Sequence, residues 1–216
     1  LQFTVYNTNN ALIKWGDGIE EYLSPNQSNP ITHQYPNGGV YDITISGYLG
    51  FKNTTDKKKL IEIKQWGLFV LSTMNKSFAD NINLTSVPQN ETLMLPQDCR
   101  TSFNDVPISN FGKFKTNYST NLSSMFSDSN FDYNIGDWNL AKVFNMTNMF
   151  LGTSMSQANC DAILTGWTRW GNGTAGITLG QNVSLHLGNT TYTLGGDAED
   201  AFNYLVNTLN WTITFG

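Results

Sequence analysis

Asn121-Leu-Ser-Ser-Met-Phe126 is answered 24 residues later by Asn145-Met-Thr-Asn-Met-Phe150. An internal period of that length marks a stacked-repeat architecture, so the rest of the chain is read from this register. Carried toward the N-terminus, the register meets Phe103 and Phe78, at spacings of 23 and 25 residues. Four residues before each Phe stands an apolar side chain: Met74, Cys99, Leu122 and Met146. Helical positions four apart share a face, so each unit offers a short apolar stripe. Five residues before each Phe stand Thr73, Asp98, Asn121 and Asn145, all types whose side-chain oxygen caps the free N–H groups of a helix start.

A second motif keeps step with the first. Ile63-Lys-Gln-Trp66, Phe111-Gly-Lys-Phe114 and Ile135-Gly-Asp-Trp138 each end 12 residues before the following Phe, whereas the unit ending at Phe103 carries Glu91 at that place. The pattern predicts, for each unit, a short strand with apolar anchors, a turn, and a capped helix of one or two turns. One such unit cannot bury its apolar face alone. Stacked units make a continuous core, which is a solenoid.

The run from Met125-Phe126 through Phe131, Ile135-Gly-Asp-Trp138 and Asn145-Met to Met149-Phe150 resembles the BspA-like class of leucine-rich repeats. That resemblance covers about two units closely and residues 60 to 120 more loosely. It implies a recognition surface without enzymatic activity, of the kind found on bacterial surfaces and in phage and viral proteins.

Residues 1–52 are a different kind of sequence. Leu1–Tyr6, Ala11–Trp15, Ile31–Tyr35 and Val40–Ser46 read as strands rich in β-branched and aromatic residues, with a tight turn at Gly16-Asp-Gly18 and a hairpin signal at Asn37-Gly38. Trp15-Gly-Asp-Gly18, His33-Gln-Tyr35 and Gly39-Val-Tyr41 through Gly47 resemble a PKD-type domain, an immunoglobulin-like β-sandwich. The resemblance implies a spacer or adhesion module in which His33 packs a corner and catalyses nothing. Asp17, Glu20 and Glu21 gather oxygens but lack the alternating ligand spacing of a dedicated calcium loop, so no metal site is expected.

Residues 53–60 are expected to form a polar linker, 61–170 the repeats and 171–216 a capping segment. Met155 to Trp167 reads as a longer helix. Beyond it come strands at 176–179 and 183–187, a helix over 197–209 with Asp197, Glu199 and Asp200 in its first turn, and a final strand at 210–215. The stretch from Leu185 to Phe215 is similar to the segment that closes many BspA-like arrays. The expected fold class is therefore mixed β and α/β: a small Ig-like sandwich, a short leucine-rich-repeat-type solenoid, and a β/α C-terminal cap.

A net charge of −5 and a pI near 4.8 argue against nucleic acid as partner, because phosphate binding needs clustered Lys and Arg. Lys57-Lys-Lys59 is a basic run flanked by Asp56 and Glu62, and reads as solvated surface. No apolar run approaches the ~18 residues of a membrane span, and no leader precedes Leu1, which points to a processed product or part of a longer chain. Cys99 and Cys160 are too few for a disulfide framework and are expected to be free. Twelve Asn-x-Ser/Thr sequons occur, and those at Asn121 and Asn145 are generated by the repeat itself.

The chemistry of catalysis is missing from the sequence. There is no nucleophile elbow, phosphate loop, Cys-x-x-Cys or His-x-x-x-His. Trp66, Trp138 and Trp167 could form a sugar-stacking stripe, but their register makes them core anchors first. No cofactor or metal is expected. The expected function is recognition or adhesion, extracellular, on a cell surface or on a virion, with a host-surface protein or glycan as partner. One alternative is a structural or decoration protein touching neighbouring virion or appendage subunits; another is an ancillary domain of a secreted carbohydrate-active enzyme. The expected binding residues are outward positions of the repeat strands: Lys64, Gln65, Asp137 and Asn139, with Gly136 beside them.

Overall fold

The four Phe residues of the repeat lie one above another. In the computed structural model, which describes residues 1–7, 10–25, 30–47, 49–53, 55–66, 74–171 and 178–216, the rings of Phe78, Phe103, Phe126 and Phe150 form a column. Successive centroids are 5.2, 6.1 and 5.9 Å apart and the planes are within 11° of parallel. Met74, Cys99, Leu122 and Met146 are fully buried beside it.

The backbone around each Phe runs as a series of tight turns and not as a helix. The N–H groups at −4, −2, 0 and +2 relative to Phe donate sideways to the next unit; for the third unit these are Leu122 to Asn145, Ser124 to Thr147, Phe126 to Met149 and Asp128 to Leu151, at 2.7 to 3.0 Å. The amides between them stay local, as in Met125 to Leu122, Ser127 to Ser124 and Ser129 to Phe126. With Ser123 donating to Asn121 Oδ1, every amide from −4 to +3 of this unit is accounted for. The reason no helix forms is visible at −2 and +2. Lys76, Asp80, Thr101, Asp105, Ser124, Asp128, Asn148 and Gly152 all have positive φ, which breaks a right-handed path twice in each unit.

The expected helix caps therefore do a related job. Oδ1 of Asp98, Asn121 and Asn145 each accepts the N–H two residues on, at 3.0 to 3.2 Å. That is an Asx turn, and it opens the turn series. The same three residues pair with one another as parallel β-bridges. Thr73, expected to be the fourth cap, lies outside the described residues.

The parallel ladder continues into the C-terminal segment. Met146 bridges Leu185 in strand β9 (Ser184–His186), which pairs in parallel with β10 (Thr212–Thr214). These strands follow helix α1 (Gln157–Gly171) and enclose helix α2 (Asp197–Asn203) with its π-helical extension to Thr208. The strand expected at 176–179 begins outside the described residues.

The N-terminal part holds two antiparallel sheets. β1 (Gln2–Asn7) lies between β4 (Pro30–Thr32) and β6 (Leu49–Lys52); β2 (Ala11–Lys14) lies between β3 (Glu20–Leu23) and β5 (Thr44–Ser46). Phe3 and Ile31 from one sheet and Ala11, Ile13 and Leu23 from the other share a small core with Trp15. The hairpin expected at Asn37-Gly38 does not form. β4 and β5 on either side of it belong to different sheets, so the chain crosses over there and does not reverse within one sheet. Gly16 (φ 83°) fits the Trp15-Gly-Asp-Gly18 turn because a Cβ would lie 2.6 Å from the Asp42 carbonyl oxygen.

The stretch 53–60, expected as a polar linker, is bonded into the stack through its described residues. Asn53 donates its N–H to Ser77, as Phe78 does to Ser102, and so holds the place of a Phe one unit earlier. It is buried, with Nδ2 donating to Asn81 at 2.8 Å. Lys57 pairs with Asp80, and the Lys58 carbonyl accepts from Asn83. Phe51 packs against both cores and stacks on Phe78 at 5.4 Å, so β6 is at once a sheet edge and the entry to the repeats.

Candidate recognition face

The unit that broke the anchor rule shows how the outward surface is built. Strand β7 (Thr92–Met94) pairs in parallel with β8 (Lys113–Lys115), and the register sets Leu93 beside Phe114. The anchor is present after all, two residues later than the spacing suggested, and Leu93 is buried. Glu91 has another role: its carboxylate accepts the Trp66 N–H at 2.8 Å. Strand alternation then turns Thr92, Met94, Lys113 and Lys115 outward, all exposed.

Past the strands the chain is tied inward to the next unit: buried Thr116 donates its hydroxyl to the Asn139 carbonyl at 2.8 Å. Tyr118 stands out from the turn that follows, 59% exposed, with the Lys142 ammonium of the next unit 5.3 Å from its ring centre. Gln97, Thr120 and Phe144 are joined in a row by Thr120 N–H to Gln97 at 2.9 Å and Phe144 N–H to Thr120 at 3.0 Å. Phe144 is 65% exposed. Three successive units thus present Met94, Tyr118 and Phe144 to solvent, with Lys113, Lys115 and Lys142 among them. Among the described residues none of these three lysines is ion-paired.

The structure separates the residues expected to bind. Lys64 and Gln65 are exposed on the first unit, and Lys64 is engaged at 2.6 Å by Asp42, from the segment before β5. Asp137 and Asn139 sit on the fourth unit, with the units ending at Phe103 and Phe126 between the two pairs. Asp137 is exposed. Asn139 is half-buried and structural: its Oδ1 accepts from Ala141 N–H at 3.0 Å. Gly136 faces inward. A Cβ there would lie 2.4 Å from the Ala162 carbonyl oxygen and 3.0 Å from Gly166 Cα, because α1 crosses at backbone contact. Residues 135–139 are turn and extended chain, so the strand face expected at this motif lies on β7 and β8. Trp66, Trp138 and Trp167 are buried and cannot form a sugar-stacking stripe.

The groups that would matter for catalysis are held in place. His33 stacks on Trp15 at 4.5 Å and 9°, and its Nε2 meets Asp17 Oδ2 at 2.7 Å. Tyr35 donates its hydroxyl to the Trp15 carbonyl. Burial pushes the Cys99 and Cys160 thiols up to about 12, so neither is a thiolate near neutral pH. The described residues hold no group of three or more His, Cys, Asp or Glu placed to bind a metal. No helix among them is long and apolar enough to cross a membrane.

The profile of the family described as "Mycoplasma protein of unknown function, DUF285" matches residues 50–163, just over half of the chain and the whole of the Phe-centred repeat. No curated protein and no solved structure matches the chain.

Proposed function

Because the chain belongs to the DUF285 family, which is related to BspA-like surface repeat proteins, we propose that it is a recognition or adhesion protein displayed outside a cell or on a virion. In this reading residues 61–170 are a leucine-rich-repeat-type solenoid, and residues 1–52 a PKD-like, immunoglobulin-like sandwich that orients it. The chain binds a host-surface protein or glycan and catalyses no reaction.

The observation that carries the reading is the outward surface of the units ending at Phe103, Phe126 and Phe150. Exposed Met94, Tyr118 and Phe144 stand there on a rigid parallel framework. Solenoids use such surfaces for binding, and aromatic side chains dominate the energetics of interfaces. Glycan-array and cell-binding assays on the chain are the test, with the Tyr118→Ala/Phe144→Ala double variant set against Gln65→Ala. Loss of binding in the aromatic variant and retention in Gln65→Ala is expected. Equal binding by all forms would remove the site, and hydrolysis of a glycan or peptide would remove the non-enzymatic reading.

A second reading has its own observation. Among the described residues β10 is paired with β9 alone and ends the ladder, so its other edge could take a strand from a neighbouring subunit. A structural or decoration protein of a virus particle or appendage would use that edge. A native mass of one chain per particle in solution would count against it.

A further inference from the structure

We infer that the face built from Lys113, Lys115, Tyr118, Lys142 and Phe144 binds an acidic polysaccharide, its ammonium groups meeting sulfate or carboxylate groups and its rings meeting the apolar faces of sugar rings. The inference rests on the reading of this face as a recognition surface and names the ligand class.

Charge is the first argument. Acids outnumber bases 17 to 12, and five of the nine other Lys and Arg side chains pair with acids of the protein: Lys14 with Glu20, Lys57 with Asp80, Lys59 with Asp56, Lys64 with Asp42, Arg100 with Asp98. Lys113, Lys115 and Lys142 are exposed on adjacent units and, among the described residues, in no ion pair, with Lys142 lying against the Tyr118 ring. A segregated cationic surface on a net-negative protein is complementary to an anion. Ring chemistry is the second. Tyr118 and Phe144 leave more than half of their surface in water, and an apolar ring gains by covering it.

Geometry is the third argument. Parallel rungs repeat at about 4.8 Å, so the lysines and rings are presented at polymer-like intervals to a linear ligand, which engages them together. A nucleic acid carries one charge per ~1.7 Å of duplex axis; three lysines on a chain of net charge −5 are a poor match for that density. A polysaccharide with sparser charges and sugar faces between them suits the alternation of ammonium and ring.

The full chain should be titrated with heparin, hyaluronan, dextran and an oligothymidylate, at low and at physiological salt. Binding to heparin or hyaluronan, weakened by salt, is expected; which of the two is tighter tells sulfate from carboxylate. Dextran and oligothymidylate should bind weakly or not at all. Lys113→Gln, Lys115→Gln and Lys142→Gln together should weaken binding about tenfold, the sum of three exposed charge contacts, and flatten its salt dependence. Tyr118→Ala/Phe144→Ala should weaken binding with the salt slope intact. All these positions are exposed, and an unchanged melting temperature verifies folding. Dextran or oligothymidylate bound as tightly as the acidic glycans, or full affinity in the triple-lysine variant, would overturn the inference. If cells are bound through Tyr118 and Phe144 without salt dependence, the ligand class is wrong and the recognition reading stands. If no probe and no cell is bound, both fall.

Discussion

The two halves of the molecule solve the same problem by opposite means. The N-terminal sheets are antiparallel and, among the described residues, enclose a core of six buried side chains, tied by one-off contacts such as the Trp15–His33 stack and the Tyr35 hydroxyl on the Trp15 carbonyl. The repeats are parallel, and successive units reproduce the same bonds: sideways amides in the units ending at Phe78, Phe103 and Phe126, an Asx turn in those ending at Phe103, Phe126 and Phe150, and one Phe of each in the column. A repeated design tolerates an irregular unit, because the ladder on either side holds the register. A unique design has no such reserve. The comparison can be broken by removing what is repeated or what is unique.

The largest effect is expected at the centre of the column. Phe126 packs against Phe103 and Phe150 and is fully buried. Phe126→Ala should cost ~3–5 kcal/mol through the emptied aromatic site. A urea midpoint unchanged in that variant would dismiss the column as the source of stability.

Next comes the seam between the repeats and α1. A Cβ on Gly166 would lie 2.5 Å from Gly136 Cα, so Gly166→Ala forces the helix away and should cost ~1–3 kcal/mol, although alanine is the better helix former. Gly38, with open space around it and no positive φ, gives the control: Gly38→Ala should leave the melting temperature nearly unchanged. Equal melting shifts in the two variants would show that crowding at the seam is not the cause.

Smaller effects test the turns. Asn145→Ala removes the oxygen that holds Thr147 N–H and should cost ~1 kcal/mol. Thr101 is a β-branched residue held at φ 53°, so Thr101→Gly should instead stabilise by ~1 kcal/mol. Opposite shifts in the denaturant midpoint are the expected result. Shifts of the same sign would mean that left-handed strain is not what Thr101 contributes.

The period was legible in the sequence because the Phe column and its companions four and five residues earlier recur at nearly fixed spacing. The helices were misread for a physical reason: Asn, Asp and Ser both cap helices and tolerate positive φ, and composition does not separate the two uses. The anchor of the unit ending at Phe103 was missed because the count ran back a fixed 12 residues from the Phe and met Glu91, while strand pairing sets Leu93 beside Phe114. The face was half legible. The alternation Lys113-Phe114-Lys115 was a strand signal, but Tyr118 and Phe144 come together only through the ladder. Gly136 looked like an outward small residue, and only the approach of α1 shows otherwise.

The last and smallest effect sharpens the comparison by pH. Burial alone would push the Asp17 carboxyl up, but the His33 ring and the Ile19 N–H more than offset this and hold it below the ordinary carboxylate range. Asp132 in the repeats is treated alike: burial pushes it up, and Asn159 and Ser156 bring it down further. A carboxyl that binds its proton less readily when folded leaves the unfolded chain with more bound protons. Its stabilisation is therefore complete above the unfolded value, about 3.9, and fades as pH falls through the lower folded value. The Ile19 amide, 3.1 Å from Asp17 Oδ1, and the Ser156 amide, 2.9 Å from Asp132 Oδ1, report the two protonations directly. Amide shifts followed by NMR should give both midpoints below the ordinary carboxylate value. Asp17→Asn should abolish the Ile19 titration and leave that of Ser156 in place. A midpoint for Ile19 at or above the ordinary value would mean that burial outweighs His33, and the Asp17–His33 pair would then not tie the N-terminal core.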